Sequence, residues 1–248
     1  MNVSSHGGHN EIVQGANANG RKEHVMDRQC NAEFINRLRQ LGHSVEDDTD
    51  NVGRSASAIV GNQVRNINDR YNDVGFSWHL NASNGEGHGV EVLCYSEKEA
   101  PVARKISAEI AKRTGWKDRG AKIRPDIGVI RSSNCPFYLV ECGFIDNEGD
   151  MARWNVGAIV SAVIFAFFGV ETSGGSHEKV QTAMIQSGGF GYSEAPAVMQ
   201  KMAEFGITGQ LYVQTDGLCY VKTDRLEDKK IWKLDNYFQD RSWWFTYL

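Results

Sequence analysis

Short strand-like segments alternate with longer helical ones up to about residue 170, and this alternation constrains the fold more than any other feature. Runs rich in β-forming residues and bounded by turn residues lie at 73–80, 89–95, 127–130 and 137–142. Apolar residues recur at helical spacing over 21–41, 97–114 and about 150–168. This order predicts an α/β fold, a mostly parallel twisted sheet covered by helices on both faces.

A polar stretch rich in glycine and serine, residues 171–179, ends this alternation. Such a composition is typical of linkers. We therefore predict a first domain at 1–172, a linker at 173–180 and a small C-terminal module at 181–248. Within the module, strand patterns (182–187, 210–215, 218–223, 243–247) and helix patterns (193–205, 227–240) give the α+β order βαββαβ of ferredoxin-like modules.

Composition excludes several classes of function. The formal net charge of −4 gives no overall attraction to phosphate, so nucleic acid is not an expected partner. The five cysteines are irregularly spaced without a CxxC pair, which predicts reduced, mostly buried thiols. The most apolar stretch, residues 156–170, is shorter than the roughly 20 residues that span a bilayer, so we expect no membrane span. The first ten residues lack a secretory signal, which predicts a cytoplasmic protein.

Four residues occupy positions at which catalytic or metal-binding side chains are expected in such a fold. His9 follows the first predicted strand and His79 ends another, and residues at strand ends of an α/β sheet point into one crevice. Glu23 begins a helix. Glu141 lies in the apolar run 137–142, although burying an unpaired carboxylate costs several kcal/mol.

Each of these residues also has a purely structural interpretation. A histidine at a strand end is often part of a hydrogen-bonded framework. Glu23 would favour a helix N-terminus through the helix dipole, and Glu141 would pair with an arginine. Because positions 9, 23, 79 and 141 form no compact motif, spacing alone leaves both interpretations open.

The strings GHNEIVQGA, GRKEH, SWHLNAS, GVEV, DRGAK and LVECGFIDN occur in this order within about residues 1–170. They resemble the zinc-dependent N-acetylmuramoyl-L-alanine amidases of the amidase-3 type, found in bacterial autolysins and phage endolysins. In the family the ligand histidine usually begins an HGG string, which here begins at His6. The ligand is also followed, six and seven residues later, by a Gly-Ala pair, and in this sequence His9 and not His6 has that spacing. The chain departs from the family pattern at five positions, which are Asn10, Glu11, Val13, Gln14 and Phe137.

The resemblance implies one Zn²⁺ per chain, held by His9, Glu23 and His79, that would bind the scissile amide oxygen and a water. It implies that Glu141 is the general base and then the acid that protonates the leaving L-alanine amine. The bond cut would join the lactyl group of N-acetylmuramic acid to L-alanine of the stem peptide. Asn81 would orient a ligand or substrate, or simply form a turn. Glu91 and Arg119 recur near the family's cleft.

The C-terminal module resembles the wall-targeting modules of Bacillus phage amidases at Gly188-Gly189-Phe190, Asp216-Gly217-Leu218 and Trp243-Trp244. We expect it to bind peptidoglycan or a secondary wall polymer. The aromatic residues Tyr220, Trp243, Trp244 and Tyr247 would stack on glycans, or pack in the core and in a dimer. Alternation in a strand sends Trp243 and Trp244 to opposite faces.

The sequence is compatible with two biological settings for an amidase and with two other molecular functions. One is a phage endolysin that waits in the cytoplasm until a holin or membrane failure gives access to the wall. A second is an amidase of mother-cell lysis after sporulation. A third is a non-catalytic wall-binding protein with a degenerate amidase fold, and a fourth is another metallohydrolase, such as a carboxypeptidase. We expect a monomer or a weak dimer.

Overall fold

A computed structural model of the chain describes residues 1–172, 182–215, 217–227, 230, 233–234, 237–238 and 245–247. The chain divides into two compact units, Met1–Gly175 and Ser176–Leu248. The predicted linker, 173–180, lies outside the described residues. Within the described part, every helix is too short or too polar to cross a bilayer.

The described residues of the first unit, 1–172, form eight strands and six helices. They are β1 (Asn2–Gly7), β2 (Asn17–Ala18), β3 (Arg21–Lys22), α1 (Glu23–Gln40), β4 (Ser44–Asp47), α2 (Ala56–Asn68), β5 (Val74–Asn81), β6 (Val90–Cys94), α3 (Ala100–Thr114), β7 (Asp118–Ile123), α4 (Gly128–Ser132), β8 (Phe137–Phe144), α5 (Glu148–Met151) and α6 (Val156–Phe168).

Six strands form one sheet in the order β4-β1-β5-β8-β6-β7. Neighbouring strands are parallel except β6 and β8, which are antiparallel. The predicted mostly parallel sheet is therefore confirmed. The antiparallel junction matters for the site, because it places Glu91 of β6 directly opposite Glu141 of β8.

Helices cover both faces of this sheet. The apolar helix α6 packs against α1 and α3 on one face, where Phe34 and Leu38 of α1 are fully buried. On the other face, Ile67 of α2 and residues of α4 form a second apolar cluster with Leu93 and Leu139. The four-residue spacing of the apolar side chains in α1 produces this buried stripe.

Two predicted elements are wrong. Residues 127–130 were expected as a strand, but α4 is a helix whose Val129 and Ile130 pack in the second cluster. A short apolar run fits either structure, and packing decides between them. The helix expected at about 150–168 is two helices, because the Asn155 side chain accepts a hydrogen bond from the Ala158 amide (2.9 Å) and starts α6 anew.

The second unit is a small antiparallel α+β module. Its elements are β9 (Thr182–Ala183), β10 (Ile185–Ser187), β11 (Phe190–Gly191), a 3₁₀ turn (Tyr192–Glu194), α7 (Ala195–Glu204), β12 (Gly209–Val213), β13 (Leu218–Thr223), β14 (Leu226–Glu227) and β15 (Phe245–Tyr247). Strand β13 lies between β10 and β12 and is antiparallel to both, so these two run parallel. This is the predicted split arrangement.

Several residues named in the predictions for this module lie outside the described residues. Glu227 pairs in β14, so the helix predicted from that residue does not begin there. Most of 227–240 lies outside the described residues, as do Asp216, Trp243 and Trp244. Tyr220 is described: its ring stacks on that of Tyr212 across β12 and β13, with centroids 4.8 Å apart and ring planes at 8°.

Candidate metal centre and active site

The ends of β1 and β5 bring His9 and His79 together. His9 follows β1 by two residues, and the intervening Gly8 donates its amide hydrogen to the Trp78 carbonyl at 2.9 Å. A Cβ on Gly8 would clash with Cε1 of His79, so only glycine leaves room for the imidazole. The two imidazole rings meet edge to face with centroids 5.0 Å apart.

Glu23, the first residue of α1, is the third member of this group. Its buried carboxylate accepts backbone hydrogen bonds from Leu80 at Oε1 (3.0 Å) and from Ala16 at Oε2 (2.7 Å). Oε1 also lies 3.1 Å from His79 Nδ1 and 3.3 Å from His9 Nε2. Burial opposes ionisation, but hydrogen bonds from His79 and His9 hold the pKa of Glu23 well below its usual range. Burial lowers the pKa of His9, whereas the hydrogen bond to Glu23 and the negative charge of Glu23 raise it. The net result is a pKa of His9 above its usual value.

These three side chains fit a zinc-type ion. Zinc bonds of about 2.0–2.2 Å in a tetrahedron keep ligand atoms roughly 3.3–3.5 Å apart. The two Glu23–histidine distances are close to this value, and one ligand atom of each residue lies within 4.8 Å of the others. Nδ1 of His9 is buried without a hydrogen-bond partner among the described residues. Two imidazoles and one carboxylate are also the donor set of several catalytic zinc sites.

The backbone of His9 is held by α1. The amide of His9 donates to Asp27 Oδ2 at 3.0 Å, and the Arg28 guanidinium donates to the His9 carbonyl at 3.0 Å. Asp27 lies one turn after Glu23 and is 1 % exposed. Neither supporting residue is among the residues predicted from the sequence, because both contacts join α1 to a loop far earlier in the chain.

Asn10, where the chain departs from the family pattern, shapes the loop after His9. Its side-chain oxygen accepts hydrogen bonds from the amides of Ile12 (3.0 Å) and Val13 (2.8 Å). Its amide group donates to Asp50 (3.1 Å) and to the Gly53 carbonyl (2.9 Å). The loop is therefore fixed by side-chain hydrogen bonds.

His6, the alternative to His9, lies in the interior of the sheet. It is fully buried, and its Nδ1 lies 3.1 Å from the Gly7 carbonyl and 3.4 Å from the Ser77 hydroxyl. Burial lowers the pKa of His6 to about 4, so the imidazole is neutral near pH 7. Among the described residues, the group able to hold a metal ion contains His9 and not His6.

Glu141 lies between two strands that carry other site residues. It pairs with His79 of β5 on one side and with Glu91 of β6 on the other. Its Oε2 is sealed from solvent without a hydrogen-bond partner among the described residues. Burial, and then the negative charges of Glu23 and Glu91, raise the pKa of Glu141 to about 8.

Asn81, Glu91 and Arg119 form a hydrogen-bonded chain beside Glu141. The Asn81 side chain donates to Glu91 Oε1 at 3.1 Å, and Arg119 Nε donates to Glu91 Oε2 at 2.9 Å. The Arg119 guanidinium also lies over the Phe144 ring, 4.9 Å from its centroid. Arg119 therefore pairs with Glu91, and the Asn81 side chain contacts the same carboxylate.

Comparisons with known proteins give one family and one module. An N-acetylmuramoyl-L-alanine amidase model matches residues 3–164, and a PlyG cell wall binding domain model matches residues 204–247. The catalytic domain of the CD27L endolysin targeting Clostridia difficile superimposes with a TM-score of 0.63 at 22% identity, over 69% of this chain and 99% of that one. At this identity the likeness concerns the fold.

Two curated relatives match part of the chain. The amidase CwlM of Bacillus licheniformis is 29% identical over 161 residues, which are 63% of this chain and 61% of CwlM. An uncharacterized cell wall amidase of Bacillus anthracis is 32% identical over 108 residues, which are 40% of this chain and 20% of that protein. The chain thus spans less than two thirds of either relative. Since the amidase model accounts for most of the first unit, the chain belongs to the N-acetylmuramoyl-L-alanine amidase family.

Proposed function

We propose that the chain is a zinc-dependent N-acetylmuramoyl-L-alanine amidase that hydrolyses the amide between the lactyl group of N-acetylmuramic acid and L-alanine of the stem peptide. The supporting observation is the convergence of His9, Glu23 and His79 beside a strand that carries the sealed carboxyl of Glu141. Zinc held by the three residues would supply Lewis acidity and make water a nucleophile near neutral pH.

Glu141 would move the proton in this reaction. Its carboxylate takes a proton from the attacking water and passes it to the leaving nitrogen, which must be protonated before the amide bond breaks. Burial and the negative charges of Glu23 and Glu91 raise the pKa of Glu141 to about 8. A cation held nearby would lower this pKa toward about 7. A group that both accepts and donates a proton works best in that range.

The Asn81–Glu91–Arg119 chain would keep Glu141 available for this task. Glu91 lies directly opposite Glu141 in the strand pair, and its two oxygens accept hydrogen bonds from Asn81 and Arg119. The Arg119 charge also opposes the effect of Glu91 on the pKa of Glu141. Among the described residues, Oε2 of Glu141 has no hydrogen-bond partner that would hold its proton.

A pair of variants tests the proposal on purified cell walls. Glu141→Gln should bind zinc like the wild type and release almost no free amino groups, because the amide cannot carry the proton. His79→Ala should lose both zinc and activity, because two protein ligands remain. Full activity of Glu141→Gln, or unchanged zinc stoichiometry in His79→Ala, would contradict the assignment.

We further propose that the chain acts as a phage endolysin whose C-terminal module binds the wall. The match to a PlyG cell wall binding domain at residues 204–247 supports this setting. Labelled full chain carrying Glu141→Gln should sediment with purified walls, whereas a chain ending at residue 175 should sediment far less. Expression in bacteria should cause lysis only when a holin or a permeabilising agent opens the membrane. Equal sedimentation of the two chains, or lysis without permeabilisation, would contradict these proposals.

A further inference from the structure

The polar residues of the site follow one another across the sheet. His9 follows β1 and His79 lies in β5, while Glu141 lies in β8, Glu91 in β6 and Arg119 in the edge strand β7. His79, Glu141 and Glu91 are direct neighbours in the strand pairing, so their side chains leave the same face of the sheet. Glu141 therefore lies between the metal-binding residues and a basic edge of the sheet.

This order gives the bound substrate a direction. Glu141 protonates the leaving nitrogen under the proposed function, so that nitrogen must lie on the Glu141 side of the metal-binding residues. The peptide that leaves with this nitrogen then extends toward β6 and β7. The acyl half, which carries the sugar, extends toward β1.

A cavity of about 470 Å³ lies on the side where the leaving peptide would extend. Glu91 belongs both to its wall and to the hydrogen-bonded chain beside Glu141. Its apolar lining includes Leu93 and Ala121. The charged side chains of its wall are Glu91, Glu97, Arg104, Arg119, Lys122 and Arg124.

Positive charge exceeds negative charge in this cavity, although the whole chain has a net charge of −4. Arg119 is paired with Glu91, and Arg124 with Asp126 outside the cavity wall. Arg104, Lys122 and Glu97 form no ion pair with any described residue, and the Lys122 ammonium donates to the Arg119 carbonyl at 2.9 Å. Arg104, an exposed residue of α3, forms no hydrogen bond or ion pair with any residue that the structure describes. Its guanidinium is therefore available to a ligand.

We propose that this cavity is the subsite for the leaving stem peptide and that it selects peptides with free carboxylates, which Arg104 binds. The inference rests on the proposed amidase activity and adds the direction and charge of the substrate. Solvated arginines are common on protein surfaces. Here, however, the free guanidinium lines a concave site that begins beside the proton-transferring residue, and a carboxylate is the group that a guanidinium recognises best.

Two synthetic substrates and two variants of the full zinc-loaded chain test the subsite. The substrates are an N-acetylmuramoyl tripeptide with free carboxylates and the same compound with these groups converted to primary amides. The variants are Arg104→Ala and, as a matched control, Lys105→Ala, which removes the same charge from the neighbouring position of α3, where the side chain lies over Phe165 instead. The measured quantity is the ratio of kcat/KM for the two substrates.

The wild type should prefer the carboxylate substrate, and Arg104→Ala should lower that preference by about fivefold through KM, the upper range for an exposed ion pair. Raising the salt concentration should reduce the wild-type preference in the same direction, because salt screens exposed charges. Lys105→Ala should keep the wild-type ratio. An unchanged ratio in Arg104→Ala, or an equal change in both variants, would overturn the subsite while leaving the amidase activity intact. If the wild type cleaves neither substrate, the amidase proposal fails, and the subsite with it.

Discussion

Asp27 supports the backbone of His9, and its replacement tests whether that support controls metal affinity. In Asp27→Ala the His9 amide loses its acceptor at 3.0 Å, and an unsatisfied amide in a buried setting costs about 1–3 kcal/mol. Because about 1.4 kcal/mol is tenfold in an equilibrium constant, this range agrees with the roughly 10–100-fold loss of affinity seen when residues supporting metal ligands are removed. We expect the zinc dissociation constant to rise by about tenfold, at the lower end because His9 is partly exposed. Competition with a chromogenic chelator measures it.

Asp27→Asn is the matched control. It keeps the size of the side chain and an oxygen that can accept the hydrogen bond from the His9 amide. Its zinc affinity should lie much closer to the wild-type value than that of Asp27→Ala. Wild-type affinity in Asp27→Ala would refute the argument. Equal losses in both variants would show that the charge of Asp27 matters rather than its hydrogen bond.

Three further predictions concern single positions. Burial lowers the pKa of His6 from 6.5 to about 4 in the folded protein. The folded state is therefore fully stable above about pH 6.5 and loses about 3 kcal/mol of unfolding free energy as the pH falls to 4. His6→Gln should flatten this part of the pH dependence, measured by urea unfolding with a chelator present. Gly8→Ala should abolish zinc binding because its Cβ displaces the His79 ring, whereas Gly61→Ala, with open space around the new Cβ, should bind zinc normally. Asn155→Ala should lower the free energy of unfolding by about 1 kcal/mol, seen as a lower urea midpoint, because α6 loses its N-terminal cap. An unchanged pH slope, zinc binding by Gly8→Ala, or an unchanged midpoint would contradict the respective prediction.

The elements predicted correctly are those whose pattern is strong within their own residues. In α1 the apolar side chains repeat every four residues, in β5 they alternate with small or polar ones, and β8 begins with an apolar run of strand length. Among the elements that were missed, β4 and β7 are short and mostly polar strands that depend on their neighbours. Helix α2 does carry a local pattern, an N-cap at Ser55 and buried Ile59 and Ile67, which was overlooked. Helix α4 was mistaken for a strand because a four-residue apolar run has no measurable period.

For the candidate site, the sequence could indicate residue types but not their neighbours. His9, Glu23, His79 and Glu141 were chosen from their positions at element ends and from the family resemblance, and the structure places the first three around one point. The roles of Asp27 and Arg28 depend on hydrogen bonds between α1 and a loop 18 and 19 residues earlier in the chain. No local pattern encodes such contacts.

Local patterns predict the alternation of strands and helices, a larger α/β unit followed by a small module, and the residues that could serve as ligands or acid. They do not predict that β6 runs antiparallel to β8, which places Glu91 beside Glu141 and Arg119 beyond Glu91. Periodicity records which face of an element is buried, whereas the choice of partner strand depends on the packing of the whole sheet. That choice sets the charge around Glu141 and the basic cavity next to it.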